Sequence, residues 1–465
     1  MKIRFLGAAQ TVTGSQHVLE INGHTVMLDC GMYQGRRVDF IRRNREFQLD
    51  VSKLDAVILS HAHIDHSGNL PNLVKSGYRG PIYAQKASAH LSSIMLEDSG
   101  HIQEENVRHI NRRRAKKSEE LLEPLYTSKD ARQTAELFVG KDYDQAFEPI
   151  PGVTASFVEA GHILGSAAIV LDIEENGRKL RFWFSGDIGR PDLAIIRDPV
   201  LPVDTDYLLM ECTYGDKAHL SPATAYDELR EVVRDTIARG GKVIVPAFAV
   251  GRTQEIVYGL HRLMDANEIP KVPVFVDSPL AVNVTDIFRA HPECFDVEAR
   301  EMIASDRHRA ALGFDMLTYI RSVEESKALN ERKEPMVIIS ASGMVEVGRV
   351  LHHLEHNVHD PNSVVLIVSW MAPHTLGRRL VEGQERIKIF GEMYDRKIRV
   401  ATIDGFSAHA GQDGLADYAL AVKDRVKKVF LVHGEPRGAD GLREVLRPLG
   451  MSNIHYPGLG DEAEL

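Results

Sequence analysis

Three histidines and an aspartate fall within the stretch Ser60-His61-Ala62-His63-Ile64-Asp65-His66. Neutral imidazole nitrogen and carboxylate oxygen are the ligands taken by a borderline divalent cation such as Zn²⁺. The stretch follows Leu54-Asp55-Ala56-Val57-Ile58-Leu59, an apolar run that reads as a buried strand. A turn leaving that strand can splay His61 and His63 toward one point and Asp65 and His66 toward another, which suits two metals rather than one. The plain alternative is a polar surface loop that happens to hold histidines.

Further candidates also sit where strands should end. The segment Thr25 to Leu28 runs into Asp29-Cys30-Gly31. Asp29 could orient a nearby histidine or simply cap a turn. The segment Val153 to Glu159 leads into Ala160-Gly161-His162, and Leu180 to Phe184 into Ser185-Gly186-Asp187. Alone, His162 reads equally as a packed or turn histidine, and Asp187 is a weak signal. With the first cluster they supply a further imidazole and a carboxylate able to bridge two ions. Glu211 ends the strand Tyr207 to Met210, His409 follows Asp404-Gly405-Phe406-Ser407-Ala408, and His433 ends the apolar run Lys428 to Val432.

The elements that must position these residues change rhythm along the chain. The start reads as strands and hairpins, with Asn22-Gly23 a strong hairpin turn between His17 to Ile21 and Thr25 to Leu28. Helices are expected at Asn69 to Lys75 and Ser88 to Glu97, followed by a charged stretch from His101 to Glu120, an exposed helix or loop. Residues 150 to 190 return to strands. From Tyr207 on, strands at Lys242 to Pro246, Val274 to Val276, Pro335 to Ile339 and Ser363 to Ser369 alternate with helices at Pro222 to Arg239 and Gly251 to Met264, as in a parallel α/β domain. Its strand ends meet small residues before helices, which frees backbone N–H groups for anions. From Ile398, with Arg399 to Ile403, the sequence is strand-rich again.

The chain has 465 residues, enough for two or three domains, with 43% hydrophobic and 26% charged residues. The net charge of -10 does not by itself suggest a nucleic-acid binder, so any such role rests on local positive charge. Two stretches qualify: Arg36 to Arg45, with five arginines, and Arg112 to Lys117. Each is equally a solvated face. Three scattered cysteines exclude a disulfide framework and suit a reducing cytoplasm. No apolar run approaches a membrane span, and the N-terminus reads as a strand rather than a signal peptide.

Taken together, His61-Ala62-His63-Ile64-Asp65-His66, His162 and Asp187, with Asp29 ahead of them, resemble the metallo-β-lactamase superfamily pattern. Glu211, His409 and His433 resemble the additional motifs of its β-CASP branch, the ribonucleases related to the endonuclease subunit of the cleavage and polyadenylation complex. Pro246-Ala247-Phe248-Ala249-Val250-Gly251-Arg252, Asp277-Ser278-Pro279-Leu280, Ser340-Ala341-Ser342-Gly343-Met344 and Gly377-Arg378-Arg379 are similar to the inserted domain of that branch, so the resemblance spans nearly the whole chain.

The resemblance implies an α/β protein: a four-layer αββα metallo-β-lactamase fold formed by residues 1–209 and 396–465, with a parallel α/β β-CASP domain, 210–395, inserted between them. It implies two zinc ions per chain, one on His61, His63 and His162, the other on Asp65, His66 and His433, with Asp187 bridging and Asp29 behind the ligands. Manganese could substitute in vitro. The implied reaction is hydrolysis of RNA phosphodiester bonds by a metal-activated hydroxide, endonucleolytic on single-stranded RNA, in RNA processing or decay. In it Asp65 orients the nucleophile and His409, held by Glu211, protonates the leaving oxygen. Ser340, Ser342, Gly343, Arg378 and Arg379 are candidates to grip the RNA backbone; without the resemblance they read as a structural turn and a solvated pair. The alternatives are a 5′-to-3′ exoribonuclease or a metallo-hydrolase of a small ester or thioester. A homodimer and a cytoplasmic location complete the expectation.

Overall fold

The strand His17–Ile21 turns back onto His24–Leu28 through Asn22 and Gly23, both at positive φ (51° and 82°), as a tight hairpin requires. The computed structural model describes residues 1–35, 37–116, 118–219, 221–304, 312–369, 371–372 and 374–465. These divide into two compact units. The first comprises Met1–Pro191, Asp198–Ala218 and His409–Leu465, the second Asp192–Arg197 and His219–Ala408.

In the first unit the hairpin belongs to a seven-stranded sheet. Its order is Glu462–Glu464, Lys2–Phe5, His17–Ile21, His24–Leu28, Ala56–Leu59, Ile82–Gln85 and Phe138–Lys141, the last four parallel. Ala56–Leu59 is buried along its whole length, which explains its uninterrupted apolar sequence. A second seven-stranded sheet runs Ile454–His455, Lys428–Val432, Tyr207–Glu211, Arg178–Phe184, Ala167–Glu175, Val153–Glu159 and Phe147–Ile150. Phe5, Leu28 and Ile58 of one sheet pack with Phe157, Phe182, Leu209 and Phe430 of the other in a shared core. Outside the first sheet, Leu70, Leu96 and Ala131 anchor the helices Leu70–Lys75, Lys86–Ala115 and Ser128–Ala135. Outside the second, Leu415, Ala419, Leu442 and Leu446 anchor Gln412–Leu420 and Pro436–Leu446. The layers are therefore αββα, as expected.

The second unit is built on a six-stranded parallel sheet, ordered Leu317–Ile320, Val274–Asp277, Val337–Ser340, Val243–Pro246, Val364–Ile367 and Arg399–Thr402. Arg399–Thr402 pairs with Val364–Ile367 and closes this sheet. The two units change over at Ala218/His219 and Ala408/His409. The expected helix at Ser88 to Glu97 runs unbroken from Lys86 to Ala115, its first turn capped by the Gln85 side chain. A helix spans Arg37–Arg45, whereas Arg36 and Lys117 of the two basic stretches lie outside the described residues. The short strands Phe138–Lys141 and Phe147–Ile150 and the hairpin Arg386–Ile389/Glu392–Asp395 were not anticipated, because they mix charge into four-residue runs. The three cysteines are buried free thiols, and no helix among the described residues is long and apolar enough to cross a membrane.

Candidate metal centre

Each candidate ligand sits just beyond a strand of the first unit, because a strand end can be both firmly held and open to a ligand. After Ala56–Leu59 the backbone turns at Ser60–His63 into the short helix Ile64–Ser67. Partner loops pack onto this turn through the main chain. The amides of Ser15, Cys30 and Met32 donate to the carbonyls of Asp65, His66 and Ile64 at 2.7, 2.8 and 2.9 Å. The approach is closest at Gly31, where an added Cβ would lie 1.7 Å from the Asp65 carbonyl oxygen.

His61, His63 and His162 converge. His61 Nε2 and His162 Nε2 stand 3.1 and 3.2 Å from His63 Nδ1, and 3.4 and 3.5 Å from Asp187 Oδ2. A second group forms beside it. His66 Nε2 stands 3.2 Å from His433 Nε2 and 3.2 Å from Asp187 Oδ1, and His433 Nε2 lies 3.5 Å from Asp65 Oδ2. The two oxygens of Asp187 are thus divided between the two groups. All seven predicted ligands come together, and the ligand atoms of each group lie within 4.8 Å of one another.

The donor set fits divalent cations. Facing imidazole nitrogens about 3 Å apart present lone pairs to one another, an arrangement a cation relieves. Asp187 Oδ1 is buried without a hydrogen bond, in a pocket where such a group is costly unless something pairs with it. Burial, reinforced by His61, pushes the His63 pKa down to about 3. Burial likewise lowers His61, and drives His162 well below its ordinary value with help from His409. These three are therefore in the neutral form that coordinates metal. Burial opposes ionisation of Asp187, but His433 and His66 outweigh it and hold the carboxyl well below the usual range.

Asp29 lies behind the second group. Its carboxylate accepts from the Ser60 amide (2.8 Å) and from the hydroxyls of Ser60 and Ser15 (3.0 Å each), and stands 2.7 Å from His66 Nδ1. Donation of Nδ1–H to Asp29 would leave Nε2 as the His66 nitrogen that faces a bound cation. Thr213 does the corresponding work for His433: its hydroxyl lies 3.2 Å from Nδ1 and donates to the His433 carbonyl at 2.9 Å. Ser15 and Thr213 carried no signal of their own, since lone hydroxyl residues are common everywhere. Position was the available cue: Thr213 follows Glu211 by two residues, and Ser15 lies in the glycine loop after the first strand.

Glu211 and His409 form a pair on the open side. Buried Glu211 accepts from the Ile188 amide (2.6 Å) and faces His409 Nδ1 at 3.0 and 3.2 Å. His409 Nε2 lies 3.9 Å from Asp187 Oδ2, and its side chain keeps 22% exposure. Burial lowers the His409 pKa, but Glu211 and then Asp187 more than compensate and hold it up to about 9. His409 is thereby held in its protonated form.

The expected RNA-gripping residues belong to the second unit. Ser340 ends the strand Val337–Ser340, Ser342 and Gly343 follow it, and Arg378 and Arg379 lie on the helix Leu376–Val381. The Gly377 amide donates to the Met344 carbonyl at 3.2 Å and ties the two segments together. Ser340 donates to the Asp277 carbonyl, and Arg378 pairs with Glu382 at 2.8 Å. The Arg379 guanidinium donates to the His374 carbonyl at 3.1 Å.

Three family descriptions match the chain in order: metallo-beta-lactamase superfamily over residues 11–247, Beta-Casp domain over 253–380, and Zn-dependent metallo-hydrolase RNA specificity domain over 393–457. Over 437 residues the chain is 36% identical to ribonuclease TTHA0252 of Thermus thermophilus, covering 94% of this chain and 93% of that one. Over 465 residues it is 30% identical to transcription termination factor FttA of Methanocaldococcus jannaschii, covering 98% of this chain and 70% of the relative. A crystal structure of a protein of unknown function from Enterococcus faecalis V583 matches over 100% of this chain with a TM-score of 0.57 at 12% identity, a likeness of fold alone.

Proposed function

The chain belongs to the metallo-β-lactamase superfamily, in its β-CASP branch, and from that premise we propose that it is a zinc-dependent ribonuclease that cuts single-stranded RNA internally. One observation carries the reading. A centre of two ligand groups sharing Asp187 stands beside a Glu211-held, protonated His409. Two zinc ions, one on His61, His63, His162 and Asp187 and one on Asp65, His66, His433 and Asp187, would supply Lewis acidity and lower the pKa of bound water to about 7.

The chain's own groups do the rest. Asp65 and Asp187 set the direction of attack by accepting hydrogen bonds from the nucleophile. His409 Nε2 delivers its proton to the departing ribose oxygen, while Glu211 keeps the ring oriented and favours the imidazolium until then. Asp29 and Thr213 hold His66 and His433 in the ligating orientation. Arg379, whose guanidinium donates to a carbonyl oxygen and has no carboxylate partner among the described residues, is the better placed of the two arginines to take a phosphate, with Ser342 and Gly343 as further donors on the segment tied to its helix. A homodimer is part of this reading.

The test uses zinc-loaded protein with labelled single-stranded RNA, matched DNA and a small ester. Internal fragments from RNA are expected, with DNA and ester left intact. His409→Ala should lower kcat by about 10²–10⁴ with zinc content unchanged. Ester turnover without RNA cleavage would sink the substrate assignment, end-wise products the internal mode, and an undiminished His409→Ala rate the acid.

A further inference from the structure

The basic stretch on the helix Arg37–Arg45 plays no part in the metal centre, yet it is tied to it. Asn44, itself buried, accepts from the Tyr33 amide at 2.8 Å and donates to the Tyr33 carbonyl at 2.9 Å. The Asn44 carbonyl in turn accepts from the side chains of Asn72 (2.7 Å) and Asn69 (3.2 Å). Next to Tyr33, the Met32 amide donates to Ile64, at the start of the helix that carries Asp65 and His66. The end of the arginine helix is therefore clamped to the turn that presents the ligands.

Within this clamp the arginines differ. Arg42 pairs with Asp39 at 3.0 Å, and Arg45 donates to the Glu123 carbonyl at 2.9 Å. Arg43 has neither a carboxylate nor a carbonyl partner among the described residues, and its Nε is buried without a hydrogen bond. Its guanidinium lies over the Tyr33 ring, 4.3 Å from the centroid. Tyr33 is itself wedged: a Cβ on Gly35 would sit 2.6 Å from its hydroxyl, and one on Gly14 3.0 Å from its Cα. A guanidinium held flat on a ring keeps its charge and loses little freedom when its in-plane donors engage an anion. Among the described residues none supplies that anion.

We propose that Arg43, laid on Tyr33 on a helix clamped to the ligand-bearing turn, binds a backbone phosphate of the RNA strand near the scissile bond. The contact rests on the RNA reading above and extends it to a residue of the first unit. It requires an anion with in-line acceptor oxygens, which is what a phosphodiester offers and a neutral base does not.

The test is fluorescence anisotropy with a labelled, hydrolysis-resistant phosphorothioate single-stranded RNA on zinc-loaded protein, repeated over a salt series. Arg43→Ala should weaken binding about tenfold and reduce the slope of log Kd against log salt by about one. Arg43→Lys should keep the slope and recover part of the affinity. Tyr33→Phe, which retains the ring, should match wild type. Zinc content should stay unchanged in Arg43→Ala. Equal affinity and slope for wild type and Arg43→Ala would overturn the contact alone. So would weaker binding with the wild-type slope, which indicates base stacking, or loss of zinc in both Arg43 variants, which indicates a structural role. RNA bound by neither protein would overturn the RNA reading and the contact with it.

Discussion

Asp29 never reaches the ligand groups' shared space, yet four contacts converge on its carboxylate, one of them from His66. Its residue-level task is to choose which nitrogen of His66 faces inward. Asp29→Ala should therefore lower zinc affinity about 10–100-fold at the second group, measured by competition with a chromogenic chelator. Unchanged affinity would mean that Ser60 and the turn alone suffice. The cluster of candidate ligands was legible in sequence because imidazole and carboxylate side chains recur at strand ends, where few residues have structural reason to be charged. Ser15 and Thr213 were not, because a hydroxyl's role depends on what folding brings opposite it. Arg43 was singled out only as one of five arginines; nothing in the spacing distinguishes the one stacked on Tyr33 from those that pair with Asp39 or Glu123.

At the level of elements, the centre depends on how closely loops from different strands approach. At Gly31 an added Cβ would meet only backbone: the Asp65 oxygen at 1.7 Å, its carbon at 2.3 Å and the Ser15 nitrogen at 2.7 Å. No flexible side chain can yield there, so the loop or the ligand helix must shift. Gly31→Ala should destabilise the protein by about 1–3 kcal/mol in urea unfolding and lower its zinc content. Gly23→Ala, in a hairpin tip with nothing within 4 Å, should leave zinc content intact. Full zinc loading in Gly31→Ala would show that the loops tolerate separation. Sequence made the strands and their alternation with helices readable, since buried parallel strands such as Val337–Ser340 are apolar throughout. Pairing was not readable: Arg399–Thr402 looks like any short strand, and only its hydrogen bonds to Val364–Ile367 assign it to the second unit. The same holds for the length of Lys86–Ala115, whose last turns are charged and carry no apolar stripe.

For the whole molecule, the first unit concentrates buried histidines and carboxylates where two sheets of one core end, so bound metal should hold it together. Removing zinc by chelation should lower the melting temperature by about 10 °C, the shift expected for a ligand present near 1,000 times its Kd, and re-addition should restore it. Identical calorimetric traces with and without chelator would contradict this. The first unit is also made from separated pieces of chain. His66 and His433, whose facing nitrogens lie 3.2 Å apart, are 367 positions apart in sequence. At about 5–20 residues per second, a ribosome synthesises them about 20–70 s apart. Throughout that interval the growing chain has no complete second ligand group, and His409 is added only shortly before His433. The order of the chain therefore delays completion of the second ligand group until the ribosome has read through the intervening unit.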